Sequence, residues 1–174
     1  ADRFHFEKDR RRFTVARGRL RQILGYYTET PAEVLEFTYN EFGKPYLNHD
    51  LKRIQFNVSH SADLALIAVS KSYEIGVDIE YKELRDATFK IAERFFSDAE
   101  VQELMQLPET DRLQGFFNCW TRKEAYIKAR GKGLAIPLGS FAVTLTPGCP
   151  VRLAFDNNDR LAPVKWSFSE LFPD

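Results

Sequence analysis

Hydrophobic positions in the first half of the chain predict one long helix followed by a small sheet. Apolar residues recur at helical spacing from about Lys8 to Tyr27, which predicts a helix there. Three apolar stretches follow, and they predict strands at about Ile54 to Val58, Leu64 to Val69 and Tyr73 to Glu80. Because their connections are short, we expect an antiparallel meander rather than crossovers.

The pattern changes in the second half to three helices followed by short strands. Helical periodicity runs from about Asp86 to Phe96, and Ser97 with Glu100 forms a capping box that opens the next helix. A long helix is predicted from Asp111 to Arg130, where glycines end it. The tail is predicted to form strands at about Phe141 to Leu145, Val151 to Phe155 and Lys165 to Phe168. Helices and antiparallel strands in these runs indicate an α+β fold.

Composition narrows the class of protein. With 174 residues and 44% hydrophobic content, the chain can bury one substantial core or two small lobes. The longest apolar run, Leu64 to Val69, is too short to cross a bilayer, and no signal-peptide pattern is visible. Cys119 and Cys149 stand without a CxxC or a metal-ligand spacing. These features favour a cytoplasmic protein.

Charge is balanced overall but uneven along the chain. A formal net charge of zero argues against general affinity for nucleic acid. Arginines nevertheless crowd the first turns of the chain, at positions 3, 10, 11, 12, 17, 19 and 21. They are typical of the solvated side of a helix, although an anionic ligand could use a few of them.

Two carboxylates stand on one predicted strand. In Gly76-Val77-Asp78-Ile79-Glu80, alternation would bury Val77 and Ile79 and turn Asp78 and Glu80 to the other face. Gly76 shares that face and leaves space for a ligand close to the backbone. Taken alone, the pair is typical of a solvated strand face.

A third carboxylate and a lysine lie on the long helix. Glu124 follows Trp120 by four residues along the apolar side, so it is expected to face inward, and Lys128 lies one turn further on. Taken alone, Glu124 and Lys128 are typical of a surface ion pair. Together with Asp78 and Glu80, however, they indicate a Mg²⁺ site, because Mg²⁺ is commonly held by a few carboxylates and phosphate oxygens.

A turn with hydroxyls and an imidazole follows the first predicted strand, in Asn57-Val58-Ser59-His60-Ser61. Backbone N–H groups, hydroxyls and a cationic histidine at such a turn could hold a phosphate. Ser59 and Ser61 are also ordinary turn residues, so a purely structural role stays open.

Taken together, these segments are similar to one enzyme family. The motifs are Gly43-Lys44-Pro45, Phe56-Asn57-Val58-Ser59-His60-Ser61, Gly76-Val77-Asp78-Ile79-Glu80, and Trp120-Thr121-Arg122-Lys123-Glu124-Ala125-Tyr126-Ile127-Lys128 with Gly131-Lys132-Gly133-Leu134. From about Phe4 to Phe168 the chain resembles the Sfp-type 4′-phosphopantetheinyl transferases. The stretch from Arg11 to Gly18 is similar to the cyanobacterial branch of that family.

The resemblance implies a pseudo-twofold, two-lobed α+β fold, in which each lobe is an antiparallel sheet with a long packed helix. The lobes would be residues 1–80 and 81–174. A loose internal echo between Phe13 to Gly18 and Ile127 to Gly131 agrees with such a duplication. Relatives carry segments before and after the region matched here, so both chain ends are expected to be truncated.

The resemblance also implies an activity and its participants. Members move the phosphopantetheine arm of coenzyme A onto a serine of an apo acyl or peptidyl carrier protein, releasing adenosine 3′,5′-bisphosphate. Mg²⁺ and coenzyme A are implied, and the carriers belong to fatty-acid, polyketide or nonribosomal peptide synthesis. A monomer is expected, because two lobes in one chain complete a site.

Individual positions take their roles from the same resemblance. Asp78, Glu80 and Glu124 match the metal ligands, and Glu124 is also the first candidate for the general base. Lys128 matches a lysine that contacts the pyrophosphate and stabilises the leaving group. The positions that match coenzyme A contacts are Arg12, the loop from Phe42 to Leu47 with Gly43, Lys44 and Pro45, and Ser59 and His60.

Two other classes of protein stay open on the residues alone. A Mg²⁺-dependent nuclease also gathers acids and a lysine, but its lysine typically follows the glutamate by two residues on a strand, whereas Lys128 follows Glu124 by four on a helix. A non-catalytic module that binds nucleotides or carriers would leave the acids solvated.

Overall fold

The structure is a computed structural model that describes residues 7–48, 53–84 and 87–173. Arg3 and Asp86, which belong to predictions made above, lie outside these residues. The chain divides into two compact units. One comprises residues 1–79 and 128–131, and the other comprises residues 80–127 and 132–174.

The first unit contains a long helix and two hairpins. Helix α1 spans Glu7–Thr28, close to its predicted bounds. Strands β1 (Phe37–Tyr39) and β2 (Pro45–Leu47) pair antiparallel, as do β3 (Gln55–Ser61) and β4 (Leu64–Ser70). The buried core consists of Leu20, Leu24, Leu35, Leu47 and Phe56. The β3–β4 hairpin was predicted, whereas the β1–β2 hairpin was not. The predicted turn at Ser59, His60 and Ser61 is wrong, because these residues continue β3 and pair with β4.

Part of the basic side of α1 serves this unit itself. The Arg17 guanidinium lies 4.7 Å from the centre of the Phe37 ring and donates a hydrogen bond to the Tyr39 hydroxyl. Arg21 donates to the backbone carbonyls of Ala32 and Leu35 at 2.6 and 2.9 Å. These two arginines therefore tie the helix to the segment that leads into β1.

The predicted strand from Tyr73 to Glu80 is wrong, because these residues form no ladder with β3 or β4. The backbone N–H groups of Val77 and Ile79 instead donate to side chains, the Asn57 amide oxygen at 2.9 Å and the Ser59 hydroxyl at 3.3 Å. Because these N–H groups bind side chains and not backbone carbonyls of β3, an irregular segment replaces the expected strand.

The second unit is mainly helical. It contains α2 (Thr88–Phe95), α3 (Asp98–Gln106) and α4 (Glu109–Arg130) up to Ile127, followed by 3₁₀ turns at Gly133–Ala135 and Leu138–Ser140. Strands β5 (Phe141–Val143) and β6 (Leu153–Asp156) pair antiparallel, and α5 spans Ala162–Lys165. Aromatic and aliphatic side chains of α2, α4 and β5 form its core, among them Phe96, Phe116, Ile127 and Phe141.

Most helix boundaries of this unit were predicted. The capping box of α3 is confirmed, since the Ser97 hydroxyl accepts the Glu100 N–H and the Glu100 carboxylate accepts the Ser97 N–H. Helix α4 begins two residues earlier than predicted and ends before Gly131, whose φ of +67° suits a glycine.

The predicted strand from Lys165 to Phe168 is wrong. Lys165 ends the short helix α5, and Phe168 belongs to no ladder. Pro163 lies in the first turn of α5, where its missing N–H and fixed φ are compatible with a helix.

Together the described residues form an α+β protein of helices and small antiparallel sheets. In the part of the chain that the structure describes, every helix is too short or too polar to cross a membrane.

Candidate functional site

The buried carboxylate of Asp78 is the centre of a polar cluster in the first unit. Its Oδ1 atom accepts hydrogen bonds from the Lys128 ammonium at 2.5 Å and the Ser59 hydroxyl at 2.8 Å. The side chain is only 3% exposed. Three predicted site residues, far apart in sequence, therefore meet at one oxygen.

The second oxygen of Asp78 has a different environment. Its Oδ2 atom is buried and has no hydrogen-bond partner among the described residues. A buried carboxylate oxygen without a partner is rare and costly in folded proteins, which makes it informative about a missing ligand. A hard cation is one partner that would satisfy it.

Lys128 reaches the cluster from the last turn of α4, which belongs to the first unit together with Gly131. Its ammonium also lies 3.1 Å from the Ser59 hydroxyl and 3.5 Å from the Val77 carbonyl oxygen. The side chain is 28% exposed, so the cation is partly open to solvent while it is paired. A phosphate oxygen could approach it from that side.

Asn57 is a member of the cluster that sequence reasoning did not single out. It is buried, and its amide oxygen accepts the N–H of Val77, the residue before Asp78. The available signal was its position, because Asn57 and Ser59 are two residues apart on β3 and share a face.

The other predicted metal ligands, Glu80 and Glu124, fall in the second unit, whereas Asp78 falls in the first. Glu80 is exposed and Glu124 is half-buried. Among the described residues, no three His, Cys, Asp or Glu side chains are grouped so that they could hold a metal ion. The three-carboxylate metal site stays a prediction.

Glu124 was expected to face inward, but the charged residue of this turn that is fully buried is its neighbour Lys123. Lys123 is fully buried, and its ammonium contacts the Glu100 carboxylate at 2.7 Å and the carbonyls of Leu138 and Phe141 at 2.7 and 2.6 Å. A buried lysine with three acceptors satisfies the rule that buried charges are paired and hydrogen-bonded. The apolar spacing of α4 gave no sign of this pair.

The loop predicted to contact the nucleotide holds the end of α4. The Lys44 ammonium donates to the Ala129 carbonyl at 2.7 Å, and the Asn40 amide donates to the Gly131 carbonyl at 2.6 Å. Burial lowers the pKa of Lys44, and the nearby Glu74 carboxylate partly offsets that effect. We call Asn40 and Lys44 the carbonyl clasp, because both bind carbonyls at the end of α4.

Gly43 and Pro45 flank Lys44 in this loop. Gly43 has a φ of +84° in the turn between β1 and β2, and a Cβ atom there would meet nothing within 4 Å. Pro45 begins β2 opposite Tyr39. The surface beside Gly43 is therefore open.

Arg12 and His60 lie outside the Asp78 cluster. Arg12 on α1 pairs with Asp63 at 2.5 Å, and its guanidinium holds the pKa of that carboxyl below its usual range. His60 is exposed on β3, opposite Ala65 in the register. Within the first unit, the structure thus brings together Asp78, Ser59 and Lys128, with Arg12 and His60 outside that cluster.

Comparison with known families gives two matches that together cover nearly the whole chain. Residues 74–172 match the model described as the 4′-phosphopantetheinyl transferase superfamily. Residues 1–72 match the model described as 4′-phosphopantetheinyl transferase, N-terminal.

Individual relatives carry the same description. The chain is 42% identical over its full length to the 4′-phosphopantetheinyl transferase HetI of Nostoc sp., of which it covers 71%. It is 34% identical over 82% of its length to the 4′-phosphopantetheinyl transferase Sfp of Bacillus subtilis, of which it covers 62%. It is 38% identical over 77% of its length to the 4′-phosphopantetheinyl transferase gsp of Aneurinibacillus migulanus, of which it covers 54%.

Proposed function

The chain belongs to the 4′-phosphopantetheinyl transferase superfamily, and we propose that it moves the phosphopantetheine arm of coenzyme A onto a serine of an apo carrier protein. Adenosine 3′,5′-bisphosphate would be the second product. The resemblance found in the sequence is thereby confirmed at the level of the family. The substrates, the metal and the residues that serve them are the parts that we propose.

One observation supports the metal and the reaction centre most directly, namely the buried, half-satisfied carboxylate of Asp78. Its Oδ1 atom is held by Ser59 and Lys128, while Oδ2 has no partner among the described residues. Carboxylate oxygens are among the donors that Mg²⁺ takes in proteins, and the Oδ2 atom of Asp78 is one that no other described group uses. The residues present therefore fit a divalent cation.

We assign the metal-ligand role to Asp78, Glu80 and Glu124. Bound Mg²⁺ supplies Lewis-acid stabilisation of the charge that develops on the pyrophosphate. The Ser59 hydroxyl donates a hydrogen bond to the Asp78 carboxylate. The orientation of that carboxylate therefore does not depend on a bound cation.

Lys128 is assigned to the leaving group. In the structure its ammonium is shared by Asp78 and Ser59 and remains partly exposed. A phosphate oxygen at the exposed side would gain a charge-assisted hydrogen bond, and the ammonium would stabilise the bisphosphate as it departs.

Attack by the carrier serine needs a base, because its hydroxyl has a pKa far above neutrality. Glu124 is the proposed base, acting directly or through a water molecule. It lies on α4 one turn before Lys128, so one helix presents the proposed base and the proposed leaving-group cation.

Coenzyme A is assigned to the basic and open parts of the first unit. Arg12 would meet the 3′-phosphate, and Ser59 and His60 would contact phosphates. The open surface beside Gly43, in the loop that also contains Lys44 and Pro45, would take the nucleotide. Because the Lys44 ammonium binds a carbonyl, this loop would offer backbone groups and space rather than a free cation.

The compartment, the oligomeric state and the class of carrier are proposed by analogy with the family. We propose a cytoplasmic monomer of two pseudo-twofold lobes, residues 1–80 and 81–174, that serves carriers of fatty-acid, polyketide or nonribosomal peptide synthesis. The free thiols of Cys119 and Cys149 fit a reducing compartment.

The direct test is incubation with coenzyme A, Mg²⁺ and a panel of apo carrier proteins, followed by mass spectrometry of the carriers. A gain of one phosphopantetheine on the carrier serine is expected, and chelation of Mg²⁺ should prevent it. Tight coenzyme A binding without any carrier modification would favour a non-catalytic module. Cleavage of DNA with no modification would favour a nuclease.

A further inference from the structure

Two side chains of β3 take the place of a strand ladder beside Asp78. Asn57 and Ser59 lie on the same face of β3 and are 8% and 5% exposed. The Asn57 amide oxygen accepts the Val77 N–H, and the Ser59 hydroxyl oxygen accepts the Ile79 N–H. The residues on either side of Asp78 are thus bound to β3 through side chains.

This arrangement determines where the Asp78 side chain points. Residues 74–80 belong to no helix or strand, so no regular ladder fixes their position. The N–H groups of Val77 and Ile79 both donate to side chains of β3. These two bonds fix the peptide units on either side of Asp78 relative to β3. Asp78 then contacts Ser59 and Lys128 through Oδ1 and keeps Oδ2 buried without a partner among the described residues.

Asn57 and Ser59 differ in how they act on Asp78. Ser59 touches the carboxylate itself, so its loss would remove both a backbone anchor and a direct bond. Asn57 does not touch the carboxylate, and its anchor acts one residue earlier, at Val77. Any effect of Asn57 on the site must therefore pass through the backbone.

We propose that Asn57 is a positioning residue for Asp78, fixing through the Val77 N–H the orientation in which the carboxylate receives a divalent cation. The proposal rests on the proposed function for the identity of that cation. Its physical basis is that groups which orient a metal ligand commonly change metal affinity roughly 10- to 100-fold when they are lost.

The variants follow from the chemistry of the Asn57 bond. Asn57→Ala and Asn57→Leu both withdraw the acceptor from the Val77 N–H, and leucine keeps a side chain of similar size in the buried site. Asn57→Asp keeps an acceptor oxygen at the same distance from the backbone. Asn118→Ala is the matched control, because Asn118 is also buried and its amide binds a buried carbonyl, that of Leu145, in the second unit.

The measurement is a calorimetric titration of each variant of the 174-residue chain with Mg²⁺ in the presence of coenzyme A and without a carrier. Affinity for Mg²⁺ should fall roughly 10- to 100-fold in Asn57→Ala and Asn57→Leu and recover largely in Asn57→Asp. Thermal unfolding of each variant is recorded in parallel, so that loss of folded protein is separated from loss of affinity.

The proposal is overturned if Asn57→Ala and Asn57→Leu bind Mg²⁺ as tightly as Asn118→Ala does, or if Asn57→Asp is as weak as Asn57→Ala. It is also overturned if the unaltered protein binds no divalent cation. A protein that binds Mg²⁺ but modifies no carrier would contradict the proposed function alone, because the titration would still decide the role of Asn57.

Discussion

The two oxygens of the Asp78 carboxylate are the strongest structural evidence about function. Asp78 keeps one oxygen engaged by Lys128 and Ser59 and leaves the other buried without a partner among the described residues. Such a group lowers stability, so its presence is better explained by a ligand than by folding. Asp78 is therefore the first residue to change.

For Asp78→Asn we expect carrier modification to fall at least ~100-fold, because the near-isosteric amide removes the charge that a divalent cation requires. The measurement is the initial rate of carrier mass gain at saturating coenzyme A. Asp159→Asn is the control, since it breaks an Asp–Lys pair with Lys165 in the second unit. Near-normal transfer by Asp78→Asn would refute the metal role.

Substitution of Glu124 tests the proposed base. Glu124→Gln should lower transfer by about 10²- to 10⁴-fold, the usual contribution of a positioned acid or base. The fold should persist, since glutamine and glutamate have similar helix propensity. Circular dichroism and the carrier assay measure these two effects. Glu109→Gln, at the start of the same helix, should leave transfer intact.

At the scale of elements, helices were predicted better than strands. Periodicity and capping residues act locally, so α1, α3 and α4 followed directly from the sequence. The segment from residue 73 to 80 has the alternation of a strand, yet its N–H groups meet side chains of β3. Alternation shows which side chains face inward, but it does not show which acceptors the backbone will find.

The carbonyl clasp, Asn40 and Lys44, should stabilise the last turn of α4. Asn40→Ala and Lys44→Met each leave a carbonyl of that turn without its donor, Gly131 and Ala129 respectively. We expect each to lower the free energy of unfolding by about 1–3 kcal/mol. Urea denaturation measures the change, and exposed Lys132→Met should have little effect. Equal stabilities for all three variants would mean that the clasp contributes nothing.

The buried ion pair of the second unit should be costly to break from one side. Lys123 and Glu100 are 0% and 2% exposed and lie 2.7 Å apart. Lys123→Met leaves the carboxylate charge unpaired, so we expect a loss of about 3–5 kcal/mol in chemical denaturation. The double variant Lys123→Met/Glu100→Gln should lose less, because no buried charge remains. If the double variant is less stable than Lys123→Met, this explanation fails.

At the scale of the whole molecule, the sequence predicted the family and part of the site. Asp78, Ser59 and Lys128 were named from the sequence and meet in the first unit. Asn57, the carbonyl clasp and the Lys123–Glu100 pair were missed. Each depends on a long-range bond between a side chain and a partner that no local pattern reveals.

The two thiols should report on opening of the second unit, which contains both of them. Cys149 is exposed, whereas Cys119 is buried and its thiol contacts Glu100. Burial, reinforced by the Glu100 carboxylate, raises the pKa of Cys119, which leaves little reactive thiolate at neutral pH.

In the native protein we therefore expect a maleimide to label Cys149 rapidly and Cys119 only as the second unit opens. Mass spectrometry of timed samples resolves the two additions. Cys149→Ser should retain only the slow addition, and urea should accelerate it. Simultaneous labelling of both thiols in the absence of urea would contradict the burial of Cys119.

The carboxylate of Glu100 joins elements that are distant along the chain. It accepts the N–H groups of Ser97 and Val143 and contacts the Lys123 ammonium, so one side chain links the start of α3, the strand β5 and the middle of α4. Separation of any of these elements would remove one of the partners of this buried carboxylate. The second unit should consequently melt in a single cooperative step, with no partly opened state of comparable population.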